Sequence, residues 1–403
     1  MIEASQHPVA DEQSLREGGD LLSVPGIRGA AVTTGVKPSG KPDLALIVAD
    51  EPQRCAAMFT TCAAAAAPVV IGRQQLAEDP RCQSIVINSG NANALTGSQG
   101  LRDALRMRVE AATVGSPAWV MSTGVIGHPL PMNQVVAGIH EAGASLTREA
   151  GTGSAVADAI LTTDTRRKVA ATKVGRWTVG GMAKGSGMIH PDMATMLAVI
   201  ATDAPISLDL QAVLGRAVDH SFHTITVDGD TSTNDTVMLL APPVKQKLHP
   251  EEERAVVDAI QRVARSLALQ IVEDGEGASR LLEITIEGAP TPTDARTIGR
   301  SIACSSLVKT ALAGGDPNWG RILAAAGNSG VPLDPQDWRL WIGDHLVFRS
   351  GAPTASDTEA VEAAFSQARV RLRLRVGQGP GRSQVVTTDL THDYVTINAE
   401  YTT

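Results

Sequence analysis

Apolar and polar residues follow two different periods along this chain. Short apolar runs in "DLALIVAD" and "SIVINSG" predict buried strands, and strict alternation in "LLEITIEG" and "VRLRLRV" predicts strands with one face in water. Helical spacing marks "GLRDALRMRVEAA" and "EEERAVVDAIQRVARSLALQIVEDG". This mixture predicts an α/β fold of layered sheets and helices, with a smaller C-terminal α/β subdomain from about residue 330.

Composition and charge narrow the class of protein. The net charge of −8 and the aromatic content of 3% argue against nucleic-acid binding, and no apolar run is long enough to cross a membrane. The four cysteines lack metal-ligand spacing and suit a reduced compartment. The acidic start of the chain is neither a signal peptide nor an Arg-rich transit peptide. We therefore expect a loose tail over residues 1–24 and a cytoplasmic protein, with the mitochondrial matrix as the alternative.

The stretch "AKGSGMIHPDMATMLAVIATDA" has two interpretations. It is typical of a buried helix whose N-cap is Asp192. The residues alone favour that helix, but they are also compatible with a precursor that cuts itself between Ala194 and Thr195, which would leave a threonine with both a hydroxyl and a free α-amine. Such a threonine carries its own base, because an α-amine titrates near pKa 8. The residues alone leave both interpretations open.

Eight blocks in order resemble the ornithine acetyltransferase family, also called bifunctional glutamate N-acetyltransferase. They cover nearly the whole chain from about residue 25, and their agreement in order makes the resemblance specific. The blocks are "NSGNANALTG", "MSTGVIGHPLPM", "ILTTDTRRK", "AKGSGMIHPDMATMLAVIATDA", "VDGDTSTNDT", "EDGEGASR", "SLVKTALAGGDPNWGRILAAAG" and "DLTHDYVTINAEYTT".

The resemblance implies an N-terminal-nucleophile-like fold and a cut between Ala194 and Thr195. The products would be an α chain of residues 1–194 and a β chain of residues 195–403, in which Thr195 is the nucleophile and its α-amine the base. The resemblance further implies an oxyanion hole made by Thr123 and Gly124. It implies substrate contacts from Thr162, Lys184, Thr195, Glu276, Asn398 and Thr403. We interpret "VDGDTSTNDT" as supporting structure, and we expect neither a metal ion nor a cofactor.

The implied activity moves acetyl from N²-acetyl-L-ornithine to L-glutamate in cyclic arginine biosynthesis, with acetyl-CoA open as a further donor. Partners would be amino-acid substrates and a second copy in an α₂β₂ assembly. Family members commonly carry larger polar or basic residues where this chain has "TCAAAAA". This segment leaves open a relative acting on other acyl amino acids, and an amidohydrolase and an uncleaved binding protein are further alternatives.

Overall fold

The computed structural model describes residues 9–190 and 196–400, with side chains described from residue 12 onward. The chain forms two compact units. The first unit runs to His223 and includes Asp230–Ile271. The second consists of Thr224–Gly229 and the described residues from Val272 onward. Ala194, Thr195 and Thr403 lie outside the described residues, so the predictions made for them stay predictions.

Strands and helices alternate through both units, as the α/β fold class requires. The strands are β1 (Ile27–Val32), β2 (Leu44–Phe59), β3 (Arg81–Asn91), β4 (Ala118–Val125), β5 (Lys168–Val174), β6 (Trp177–Lys184), β7 (Leu197–Thr202), β8 (Ile225–Thr226), β9 (Thr236–Ala241), β10 (Leu281–Ala289), β11 (Arg339–Ile342), β12 (His345–Arg349), β13 (Ala352–Pro353), β14 (Arg369–Arg375) and β15 (Gly381–Thr388). The helices are α1 (Val9–Glu17), α2 (Ala67–Glu78), α3 (Gly97–Ala112), α4 (Met132–Ala144), α5 (Thr152–Ala159), α6 (Leu210–Asp219), α7 (Pro250–Glu273), α8 (Pro292–Ala303), α9 (Ser306–Gly314), α10 (Trp319–Gly327), α11 (Thr358–Phe365) and α12 (His392–Glu400).

The first unit is built on a sheet of order β4-β3-β2-β9-β7-β6-β5, with β1 paired to β2. The long strand β2 pairs with β1 and β3 mainly through its first half and with β9 through its second. Its apolar run is buried on both faces, since Leu44 and Leu46 pack with α3 and α4 while Ala45 and Ile47 pack with α5. Burial on both faces explains why this strand is continuously apolar rather than alternating.

The apolar run after residue 195 forms a strand, so the helix interpretation is wrong for this part. Strand β7 is buried along its whole length between β6, to which it runs antiparallel, and β9, to which it runs parallel. A short apolar run fits a central strand and a buried helix equally well on periodicity alone. Here the neighbouring strands decide the outcome. Asp192, the expected N-cap, lies outside the described residues.

The second unit contains a sheet of order β13-β12-β11-β14-β10-β15-β8. Strand β10 lies between β14, which is parallel to it, and β15, which is antiparallel. Its apolar side chains, Leu282, Ile284 and Ile286, share one core with Ile298 and Ile302 of α8. This unit begins well before the subdomain expected near residue 330, because β10 and α8 supply the centre of its core.

The start of the chain is also more ordered than expected. Helix α1 covers Val9–Glu17, and a short 3₁₀ helix follows at Leu21–Ser23. Leu15 and Leu21 are both buried, and the side chain of Asp20 caps the 3₁₀ helix. The loose tail predicted over residues 1–24 is therefore wrong for residues 12–24. In the described part of the chain, no helix combines the length and the apolar character that crossing a membrane requires.

Candidate active site

Thr123 and Gly124 lie near the end of β4, at an irregularity where its pairing with β3 shifts register, which we call the Thr123 turn. Gly124 has a φ of +128°, and a Cβ atom there would come within 2.3 Å of the carbonyl carbon of Gly90 on β3. Only glycine fits so close an approach at a positive φ. The Thr123 side chain beside it is 2% exposed. The sequence therefore places a buried hydroxyl at a turn that requires glycine.

A network of amides holds this turn in place. The Asn234 side chain donates from Nδ2 to the carbonyl oxygens of Ala92, at 2.6 Å, and Ser122, at 2.8 Å. The Ser122 hydroxyl in turn donates to Asn88 Oδ1 at 2.6 Å. The block "STNDT" thus supplies supporting structure, as its sequence predicts. The block "NSGNAN" does so as well. Buried, satisfied networks of this kind fix one geometry.

Lys184, the last residue of β6, reaches the same hydroxyl. Its ammonium donates to Thr123 Oγ1 at 3.4 Å and lies 3.8 Å from Asp164 Oδ2, and its side chain is 2% exposed. Because the lysine donates to the threonine oxygen, the hydroxyl hydrogen points away from it and is available to another acceptor. A buried ammonium beside a hydroxyl donor is suited to an oxyanion or a carboxylate.

Asp164 neutralises this positive charge from the loop between α5 and β5. Its carboxylate accepts hydrogen bonds from the backbone N–H of Thr162, at 3.0 Å, and of Gly185, at 2.6 Å, and from the ammonium of Lys168. Burial alone raises the pKa of Asp164, but the charges of Lys184 and Lys168 outweigh it, so the pKa lies below its usual range. Asp164 therefore stays ionised and fixes both lysines.

Asp235 lies on the loop just before β9 and contacts the residue that follows Thr195. Its Oδ1 accepts a hydrogen bond from the backbone N–H of Met196 at 2.8 Å. Burial raises the pKa of Asp235 well above its ordinary value, although the Met196 N–H and the charge of Lys184 both lower it. A buried carboxyl is thus held one residue from the predicted cut.

Two further predicted residues meet in the second unit. Asn398 of α12 donates from Nδ2 to Glu276 Oε2 at 2.9 Å, and both side chains are accessible. Glu276 follows α7 in a turn where Gly277 has a φ of +66°. A Cβ atom on Gly277 would lie 2.3 Å from the Tyr394 nitrogen, so glycine lets the start of α12 pack against this turn. The pair offers a half-buried carboxylate to a cationic ligand.

The structure joins the predicted residues into two groups. Thr123, Gly124, Thr162 and Lys184 form one group in the first unit, while Glu276 and Asn398 form another in the second. Two buried carboxyls of this region, Asp164 and Asp235, were not singled out by the sequence analysis, although both lie in the blocks that carry the resemblance. Among the described residues, no group of three or more histidine, cysteine or acidic side chains is arranged to hold a metal ion.

Fold and contacts together define an α/β protein in which a buried ammonium and a buried hydroxyl, from side chains at the ends of β6 and β4, are in contact. Residues 28–403 match the family model described as "ArgJ family", so the chain belongs to that family, and the resemblance seen in its sequence is confirmed. Among curated relatives, "Arginine biosynthesis bifunctional protein ArgJ" of Parasynechococcus marenigrum is 45% identical over 397 residues, which are 96% of each chain. The protein of the same name from Symbiobacterium thermophilum is 45% identical over 91% of this chain and 93% of its own length.

Solved structures of the same family are also similar in sequence. The Bacillus halodurans arginine biosynthesis bifunctional protein argJ is 35% identical, with a TM-score of 0.45, over 49% of this chain and 96% of that one. The ornithine acetyltransferase of Mycobacterium tuberculosis, solved in complex with ornithine, is 36% identical, with a TM-score of 0.40, over 43% of this chain and 94% of that one.

Proposed function

We propose that this enzyme of the ArgJ family cuts itself before Thr195 and then moves acetyl from N²-acetyl-L-ornithine to L-glutamate through an acetyl-Thr195 intermediate. Membership of the family supports this proposal, as do relatives named for arginine biosynthesis at 45% identity. One relative of solved structure is named an ornithine acetyltransferase and holds ornithine. The proposal assigns the same class of substrate, an amino acid, to this chain.

Self-cleavage begins when the Thr195 hydroxyl attacks the Ala194 carbonyl carbon. The new C–O bond forms as the C–N bond breaks, which converts the amide into an ester and moves the hydroxyl proton to the released nitrogen. Water then hydrolyses the ester, leaving Thr195 with a free α-amine. The tetrahedral intermediate carries an oxyanion, and hydrogen-bond donors fixed in advance lower the barrier to its formation.

Acetyl transfer repeats this chemistry on the substrate. The α-amine takes the proton from the Thr195 hydroxyl, the oxygen attacks the acetyl carbonyl, and ornithine leaves with that proton. Glutamate then attacks the acetyl ester through its amine and regenerates the hydroxyl. Thr123 would donate to both oxyanions, since its hydroxyl hydrogen is directed away from Lys184.

The contact between Lys184 Nζ and Thr123 Oγ1 at 3.4 Å is the observation that carries this proposal. It places an ammonium and a hydroxyl together in a buried site, which is costly unless both have partners. The same β6 end pairs with β7, since Lys184 lies opposite Leu197, two residues after Thr195. Lys184 therefore lies beside Leu197, a residue near the start of the predicted β chain, at one end of the sheet.

Intact-mass measurement of Thr195→Ala tests the nucleophile. We expect the parent protein to yield two chains divided before Thr195, with an added acetyl on the second chain after incubation with N-acetylornithine. Thr195→Ala should remain one uncut, inactive chain. Thr310→Ala, which removes an exposed hydroxyl of α9 that bonds within its own helix, is the control and should cut normally. A Thr195→Ala chain that still cuts at the same bond would contradict the mechanism.

The alanine-rich segment 62–67 favours one alternative, a relative that transfers acyl groups between other amino acids. Its residue Ala66 is buried against Ala92 and donates its backbone N–H to the Thr233 carbonyl at 2.8 Å. Ala92 and Asn234 belong to the network that holds the Thr123 turn. A panel of N-acyl donors and amino-acid acceptors decides between these substrates, acetyl-CoA included as a donor. Ornithine release without any acceptor would identify a hydrolase.

Assembly and compartment form the remaining part of the proposal. We propose an α₂β₂ heterotetramer of cleaved chains in the cytoplasm. The native mass of the purified protein tests the assembly directly, because the expected particle is twice the mass of one cut chain pair. A particle with the mass of a single pair would contradict it.

A further inference from the structure

Lys37 lies beside the Thr123 turn, although the sequence analysis did not single it out. Gly90 of β3 is paired with Gly124 of β4 and has a φ of +96°. A Cβ atom on Gly90 would lie 3.0 Å from Lys37 Cγ, so the aliphatic part of the lysine side chain packs directly over this glycine. Glycine at residue 90 therefore leaves room for Lys37 on the strand pair that carries the turn.

A buried carboxylate fixes the backbone from which the Lys37 side chain extends. Asp43 is fully buried, and its Oδ2 accepts the Lys37 N–H at 3.0 Å. Its Oδ1 accepts the backbone N–H of Thr34 at 2.6 Å and the Thr34 hydroxyl at 2.7 Å. These three hydrogen bonds hold the loop between β1 and β2 in one conformation.

The ammonium of Lys37 contacts two backbone carbonyls. Nζ donates to the Pro42 oxygen at 2.9 Å and to the oxygen of Ala159, the last residue of α5, at 3.2 Å. An ammonium has three hydrogens, and no described residue accepts the third. The loop that begins after Ala159 carries Asp164, so the ammonium lies at the edge of the group that contains Lys184.

The charges of that group act on Lys37. Burial lowers the pKa of Lys37 to about 8. The carboxylates of Asp43 and Asp164 oppose this shift, whereas the ammonium of Lys184 adds to it. Lys37 is therefore charged in most molecules at pH 7. Because the two ammoniums repel each other, an anion bound near both of them is stabilised.

The two substrates of the proposed reaction differ in the charge of their side chains. Both have an α-carboxylate, but the ornithine side chain ends in an ammonium and the glutamate side chain ends in a carboxylate. One ammonium suffices for the carboxylate that the two share. A second ammonium favours the substrate that has a second carboxylate and repels the other, so it selects between them.

We propose that Lys37 is a specificity-determining residue for the acceptor and that its third hydrogen is donated to the side-chain carboxylate of L-glutamate. This inference rests on the proposed function. The lysine keeps its proton throughout, since its role is to bind the acceptor and not to transfer a proton.

Steady-state kinetics of Lys37→Met test this role. When an acyl-enzyme separates two half-reactions, kcat/KM for each substrate reports on its own half-reaction. A hydrogen bond to a charged group contributes about 1.5–3 kcal/mol, so kcat/KM for glutamate should fall by about 10- to 10²-fold. The value for N-acetylornithine should stay within about twofold of the parent.

Glutamine supplies a second measurement, because it is a neutral analogue of glutamate with nearly the same shape. Its kcat/KM as an acceptor should be similar in Lys37→Met and in the parent. The preference for glutamate over glutamine should therefore disappear in the variant. A role of Lys37 in folding alone would lower both values together and leave the preference unchanged.

Lys41→Met is the matched control. Lys41 lies further along the same loop and is exposed, and its charge also acts on the pKa of Lys37. Its variant therefore removes one positive charge from the same neighbourhood without removing the proposed contact. Both kcat/KM values and the preference for glutamate should match those of the parent.

Two outcomes would overturn the inference. An unchanged preference for glutamate in folded Lys37→Met would show that the ammonium does not contact the side-chain carboxylate. Equal losses for glutamate and N-acetylornithine would show that Lys37 does not distinguish the acceptor. If Lys37→Met does not fold, Lys37→Gln repeats the test, since its amide can still donate to a carbonyl but carries no charge. A parent protein that makes no N-acetylglutamate from N-acetylornithine would instead refute the proposed function itself.

Discussion

Three lysines of the described chain are almost completely buried, and two of them, Lys184 in the first unit and Lys309 in the second, have different surroundings. Lys184 is 2% exposed and Lys309 is 4% exposed. Lys184 faces the ionised Asp164 at 3.8 Å and donates to one hydroxyl, that of Thr123, at 3.4 Å. Lys309 of α9 instead donates to the Thr387 hydroxyl at 3.1 Å and to both the hydroxyl and the carbonyl oxygen of Thr388, which end β15.

The two sites differ in how well they stabilise a positive charge. Burial lowers the pKa of Lys309 to about 8, although Asp228 and Asp389 partly oppose it. Neutral protein oxygens stabilise an ammonium less well than water does. Burying the charged form of this lysine therefore costs free energy. Asp164, by contrast, remains ionised beside Lys184 and Lys168. A fixed carboxylate keeps positive charge in a dry site, where it can act on an anion.

The comparison therefore separates two uses of a buried ammonium. Lys309 ties α9 to the end of β15 and has its acceptors within the fold. Lys184 is directed at a hydroxyl beside Gly124, where the close approach of β3 requires glycine, and this is the arrangement expected of a group that serves a ligand. Substitutions at the two positions should accordingly affect different measurements.

Lys184→Met should have the largest effect, and the effect should be on activity. Removing a buried, hydrogen-bonded charge from a binding site costs about 2–5 kcal/mol, so we expect kcat/KM for acetyl transfer to fall by about 10²- to 10³-fold. The fold should survive, since Asp164 keeps Lys168 and two backbone donors. Steady-state kinetics together with circular dichroism measure both. Lys173→Met, an exposed lysine on β5, is the control, and a Lys184→Met enzyme within tenfold of the parent would remove Lys184 from the site.

Much of this site follows from the sequence because its donors lie in recognisable blocks. The "MSTG" and "AKGSG" motifs pointed to Thr123 and Lys184, and the structure brings their side chains together. Alternation likewise predicted β10 and β14, which have one buried face each. Patterns of this kind are local, so a single sequence carries them.

The carboxyls could not be predicted in the same way. Asp164, on a loop, pairs with Lys184 of strand β6. Asp235 accepts a hydrogen bond from Met196, which is 39 positions away in the sequence. A carboxylate in a turn motif looks the same whether it caps a loop or faces a buried ammonium. Strand β7 was ambiguous for a related reason, because its neighbours in the sheet, not its own period, determine its conformation.

Lys309→Met should instead reduce stability. It removes three hydrogen bonds and leaves the acceptors on Thr387 and Thr388 buried, at about 1–3 kcal/mol for each unpaired group, while it also removes the cost of burying a charge. We expect the free energy of unfolding in guanidinium to fall by about 2 kcal/mol, with kcat/KM of the folded enzyme within twofold of the parent. A tenfold loss of kcat/KM without loss of stability would contradict the structural role.

The smallest effect is a dependence of stability on pH. Burial lowers the pKa of Lys309 to about 8 in the folded protein, from 10.5 as its ordinary value. Between these values the unfolded chain binds more protons than the folded one, so stability rises with pH. From pH 7 to pH 9 this lysine should add about 1 kcal/mol to the free energy of unfolding.

The comparison between parent and Lys309→Met isolates that contribution. Burial also lowers the pKa of Lys37 to about 8, but Lys37 is present in both proteins and its effect cancels in the difference. Guanidinium unfolding at pH 7 and pH 9 should therefore show a smaller rise in the variant, by about 1 kcal/mol. Equal rises in the two proteins would mean that Lys309 keeps its charge through pH 9. The buried ammoniums of the two units would then be held equally well, and the contrast between them would rest on geometry alone.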